Sequence, residues 1–160
     1  MTNLLNILNN LAVKILQDKG QLTMFSLAKL SDSKGWDLLI VADWCQTLSV
    51  EAFKYLYSNF RKEQQKYVSN MNKEDKNKVS GEILEFLEFP FIILPKESNL
   101  VMGLRRLYID KPIHIKPVAI EINTSRMIQE IYLFATDTET QRKEFQFLEY
   151  GRERIQDLTV

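Results

Sequence analysis

Apolar residues recur at helical spacing from the start of the chain. Leu4, Ile7, Leu8, Leu11 and Ile15 fall on one stripe, with Thr2 or Asn3 placed to cap it and Gly20 just past its end. The pattern predicts an amphipathic helix over residues 4–16. Two apolar runs follow, Leu22–Leu30 and Trp36–Asp43, divided by the turn-rich Ser31-Asp32-Ser33-Lys34-Gly35, and these read as a β-hairpin. In the second run Leu38, Leu39, Ile40, Val41 and Ala42 are continuous rather than alternating, the pattern of a strand covered on both faces, which predicts helices on both sides of the sheet.

Behind Thr47 or Ser49 as cap, Val50, Phe53, Leu56, Tyr57, Phe60, Tyr67, Val68 and Met71 predict a long helix over about residues 50–72. Residues 72–78, NKEDKNK, read as an exposed linker turn. In residues 79–88 the apolar set Ile83, Leu84, Phe86 and Leu87 fits a helical stripe as well as a strand. Phe89–Leu94 reads as a strand that begins at Pro90 or is distorted by it, and Pro95 closes it. Ser98 then caps a short helix through Leu100, Val101, Leu104 and Leu107.

Residues 113–123 carry a change of parity. Ile113 and Ile115 are apolar on odd positions, whereas Val118, Ile120 and Ile122 are apolar on even ones, so one buried face requires an inserted residue near Lys116-Pro117. A β-bulge there would put His114, Lys116, Glu121 and Asn123 on the opposite, polar face. A turn at Thr124-Ser125-Arg126 leads into a last strand, Ile128–Ala135, and residues 138–158 read as a C-terminal helix that frays. The whole reads as one α/β domain over residues 1–160. Its order α-β-β-α-β-α-β-β-α predicts a mixed sheet of about five strands flanked by helices, with parallel crossovers through the helices at 50–72 and 98–108 and antiparallel hairpins at the short connections.

Composition narrows the chemistry. The chain has 160 residues, 45% hydrophobic and 26% charged, which excludes disordered and fibrous classes. Twenty-one basic side chains balance twenty-one acidic ones, so no global field draws the protein to nucleic acid or an anionic membrane. One cysteine, Cys45, and one histidine, His114, cannot supply a disulfide or the four ligands of a structural zinc site. The five glycines are never closer than fifteen positions, which excludes glycine-rich phosphate cradles and the nucleophile elbow. No cofactor and no metal set is read from the sequence. The first twenty residues lack the basic head of a secretory signal, and no apolar run approaches about 18 residues, so the expectation is cytoplasmic with no membrane partner.

Four groups of residues carry candidate chemistry. Asp43-Trp44-Cys45 lies at the C-terminal end of the most apolar strand, where open α/β sheets commonly place ligands; Asp43 could hold a divalent ion or act as a base beside the thiol. The structural alternative is that Asp43 caps the next helix, Trp44 packs and Cys45 is a small buried hydrophobe. Cys45 and His114 form the one possible Cys–His couple, which would need a depressed thiol pKa. The row His114, Lys116, Glu121, Asn123 is either a site beside a bulge or a solvated edge face. Arg105, Arg106 and Lys116 make residues 96–126 locally basic, without the aromatic interleaving that nucleic-acid binding usually shows.

The sequence leaves open whether the chain is an enzyme. The reading that fits best is a non-enzymatic protein-interaction or self-association module that uses a sheet edge or the leucine-rich helix 4–16 to dock a protein partner or a second copy. The alternative is a divalent-metal-dependent hydrolase or nucleotide-processing enzyme built on Asp43, with Glu121 or His114 assisting. A nucleic-acid binder using Arg105, Arg106 and Lys116 comes third.

Overall fold

The computed structural model describes residues 2–30, 34–45, 50–97, 121–123 and 126–134. In chain order these form α1 (Thr2–Lys19), β1 (Met24–Leu30), β2 (Trp36–Val41), a 3-10 turn (Asp43–Cys45), α2 (Val50–Val68), α3 (Lys73–Phe86), β3 (Leu87–Ile93), β4 (Glu121–Asn123) and β5 (Arg126–Leu133). The result is a mixed α/β architecture with an open sheet. Strands β3, β2, β1 and β5 lie side by side, and three-residue β4 pairs with the start of β5 at the margin. β1 is antiparallel to both β2 and β5, while β3 is parallel to β2. That parallel pair needs a crossover, which α2 and α3 supply.

The six residues of β2 are all buried, as its unbroken apolar run predicts. Phe25, Leu27, Trp36, Leu38 and Ile40 join the core formed with α1, α2 and α3. Met24, Ala28, Leu39, Val41 and Ile131 are buried outside that cluster, together with Ser26 and Asp37. Helices were expected on both sides of the sheet; the described helices all pack on the first face.

α1 belongs to the core. Eight of its side chains are buried, among them Leu4, Ile7, Leu8, Leu11 and Ile15 with no exposure at all. At about 1.5–3 kcal/mol per large apolar side chain, this burial is on the order of 10 kcal/mol, comparable to the net stability of a domain. The helix stops at Gly20, whose φ of +84° is the left-handed conformation an achiral residue adopts without cost, and whose N–H donates to the Leu16 carbonyl at 3.2 Å. At its other end Glu82 of α3 accepts from the Leu4 N–H (3.1 Å) and from Asn3 Nδ2 (2.9 Å), while Tyr67 Oη donates to Asn3 Oδ1 at 2.8 Å. A carboxylate thus stands where the helix dipole favours it.

Two boundaries differ from expectation. The long helix ends at Val68 rather than about residue 72, and Lys73–Lys78 is not a linker turn but the opening of α3. Asn72 caps it by accepting from the Asp75 N–H at 2.8 Å, with Glu74 and Asp75 in the first turn. The helix runs on through residues 79–86 and settles that stretch as helical. The expected helix at 98–108, the bulge at Lys116-Pro117 and the C-terminal helix at 138–158 lie outside the described residues.

Candidate functional site

β2 leaves its ladder at Val41 and the chain tightens at once into the turn Asp43–Cys45. The Cys45 N–H donates to the Ala42 carbonyl at 3.2 Å, and its Sγ lies 3.5 Å from the same oxygen. Cys45 is fully buried, and burial pushes its thiol pKa up against the pull of the Ala42 hydrogen bond, with the Asp43 charge adding to the rise. A nucleophilic thiol requires the reverse. The Asp43 side chain is 84% exposed and forms an ion pair with Lys96.

Trp44 joins the turn to both neighbouring helices. Its ring meets Tyr55 of α2 edge-on, centroids 5.4 Å apart at 78°. Lys19 Nζ, from the end of α1, lies 4.9 Å from the Tyr55 ring and 5.6 Å from the Trp44 ring. Tyr55 Oη donates to Asp18 Oδ2 at 2.9 Å, and Asp18 pairs with Lys14 at 3.3 Å. The Tyr55 hydrogen bond, aided by Lys14 and Lys19, outweighs desolvation and holds the Asp18 carboxyl below its usual range. Burial, followed by the Asp18 contact, pushes the Tyr55 hydroxyl up. The arrangement ties α1 and α2 to the turn, while the buried Trp44 Nε1 has no hydrogen-bond partner among the described residues.

The topology separates the proposed carboxylate partners. Glu121 and Asn123 pair with Met127 and Arg126 at the start of β5, whereas Asp43 follows the C-terminal end of β2. β1 registers Met24 against Val41 at one end and Leu30 against Ile128 at the other, so Asp43 and Glu121 sit at opposite ends of the sheet. They are three strand positions apart as well. At about 3.3 Å per residue and about 4.8 Å per strand, the gap is on the order of 20 Å or more. A shared ion is excluded for this pair. Among the described residues no three of His, Cys, Asp and Glu gather closely enough to hold a metal ion. His114, Lys116, Arg105 and Arg106 lie outside the described residues.

A second site lies on the other side of α2. Tyr57, Phe60, Arg61 and Gln64 of α2 face Ile83 and Leu84 of α3 and Leu87 at the start of β3 across an open groove of about 480 Å³. Two of its lining residues are aromatic, and both rings meet Phe91 of β3 outside the lining, Tyr57 at 6.1 Å and Phe60 at 6.2 Å, nearly edge-on. Its rim is unusually bare. Leu84 is 81% exposed and Tyr57 47% exposed. Arg61 is the one charged residue in the lining, and it makes no ion pair with any described residue.

No family model matches the chain, and no curated protein or solved structure is similar to it. Among the described residues, no helix is long and apolar enough to cross a membrane.

The two sites differ in how far sequence reaches them. The Asp43–Cys45 turn is visible as the end of an apolar run, but its chemistry is not, because Lys19, Tyr55 and Lys96 arrive from three other segments. Tyr57 reads as part of the buried stripe of α2, and the structure corrects this: Phe60 is buried while Tyr57 stands at the groove. A cue does exist in α3, where Ile83-Leu84 and Phe86-Leu87 crowd two adjacent apolar pairs into little more than one turn. Together they make a wide helical stripe, and its members Ile83, Phe86 and Leu87 are half-buried. Leu84 is the residue left outside.

Proposed function

We propose that the protein is a non-enzymatic interaction module that docks a protein segment in the groove between α2 and α3. The observation that carries this reading is Leu84, a large apolar side chain held 81% exposed at the rim of a groove lined by Tyr57 and Phe60. Covering one such side chain returns about 1.5–3 kcal/mol, and single exposed leucines are common, but a leucine continuous with an open apolar groove marks a docking surface. The segment that fits is amphipathic, with apolar anchors at helical spacing and a carboxylate to meet Arg61.

The helix first expected to dock a partner does not serve this role, because the leucines of α1 are buried in the chain's own core. The metal-dependent reading loses Glu121 as a partner for Asp43, which is exposed, paired with Lys96 and remote from that strand, while His114 lies outside the described residues.

The test is a random-peptide selection against the full chain. Enriched peptides should combine apolar anchors with an acid and should lose at least about tenfold in affinity, or about 1.4 kcal/mol, on Leu84→Glu while Asp43→Asn leaves them unaffected. Peptides indifferent to Leu84→Glu, or sensitive to Asp43→Asn, would contradict the reading.

A further inference from the structure

The proposed groove rests on a surface that also presents what the groove needs. Leu84 projects from the rim, and the next residue, Glu85, is exposed and makes no ion pair with any described residue. The lining supplies the opposite charge, Arg61, likewise exposed and unpaired among the described residues. One chain therefore carries both halves of a contact: an apolar knob with an acid beside it, and an apolar hole with a cation in its wall. A surface that holds knob and hole together is self-complementary, which is the condition for a two-fold interface.

The helix face around the knob has room for such a contact. Gly81, three residues before Leu84 and so on the same side of α3, is exposed, and a Cβ built on it would meet nothing within 4 Å. Glycine inside a helix is less favourable than alanine, and no contact within the described chain uses the space it leaves. A second helix can approach closely there.

Building on the docking reading, we infer that the occupant of the groove is α3 of a second copy, joined by a two-fold axis near Leu84. Each Leu84 enters the groove of the other chain, and Arg61 of each meets Glu85 of the other. Two symmetric copies of each contact double every gain, so a modest single contact produces a measurable dimer.

Sedimentation equilibrium of the full-length protein up to on the order of 100 µM tests this directly. The expected result is a reversible monomer–dimer equilibrium. Leu84→Glu, Arg61→Glu and Glu85→Arg should each weaken it at least about tenfold, since each places like charges together or buries a charge in the groove. All three positions are exposed, and circular dichroism checks that the variants fold. The decisive arm is the mixture: Arg61→Glu with Glu85→Arg restores opposite charges at both symmetric contacts, so the heterodimer should recover what each variant lost alone. A dimer indifferent to all three substitutions, or a mixture no stronger than its components, overturns the inference. A protein that stays monomeric but still binds selected peptides through Leu84 overturns the second-copy inference alone; one that does neither overturns the groove reading as well.

Discussion

At the scale of single residues, burial decides which chemistry is open. Cys45 has no solvent exposure and burial raises its thiol pKa, both of which oppose the thiolate that a nucleophile needs. At about pH 8 a thiol reagent should label the native protein only as fast as it unfolds. Immediate stoichiometric labelling would restore Cys45 as a candidate nucleophile. Glu82 shows the converse. Burial works against its charge, yet hydrogen bonds that include those from the Leu4 N–H and Asn3 hold its carboxyl below the free value of 4.5. A depressed carboxyl contributes stability above that value, and the contribution fades as the pH falls through the lower, folded-state pKa. Glu82→Gln should therefore cost about 1 kcal/mol at neutral pH and shrink the acid-induced loss of stability, as read from urea midpoints across pH. A variant whose pH profile parallels the parent would remove Glu82 from this role.

At the scale of elements, the legible parts are those whose pattern is local. α1, the β1–β2 hairpin and α2 follow from apolar spacing alone, and the unbroken run Leu38–Ala42 correctly signals a strand buried on both faces. The opening of α3 escaped because Lys73–Lys78 carries no apolar period; its signal was chemical, the Asn72 cap and the acids behind it. Nothing local shows that Glu82 caps a helix 78 positions upstream. The same long range hides the clamp of Lys19, Trp44 and Tyr55. Because α1 is core, shortening a side chain within it acts on stability: Leu8→Ala should cost about 2–5 kcal/mol in equilibrium unfolding, and removal of residues 2–18 should unfold the protein. A folded truncated chain would contradict the assignment of α1 to the core.

At the scale of the molecule, the C-terminal end of β2 and the groove between α2 and α3 are different kinds of surface. At the C-terminal end of β2, where the sequence places a ligand, the chain's own Lys19, Trp44 and Tyr55 gather, and Asp43 pairs with Lys96. Among the described residues the surface between α2 and α3 forms an open groove lined by Tyr57 and Phe60, with the exposed Leu84 and Arg61 at its wall. The central claim, that this groove is where the protein meets its partner, is tested most directly by chemical-shift mapping. A selected apolar, acidic peptide is titrated into the isotopically labelled full-length chain. Shifts concentrated at Tyr57, Arg61, Ile83, Leu84 and Leu87, with the Asp43–Cys45 turn unmoved, are the predicted result. Shifts centred on that turn, with the groove silent, would contradict it.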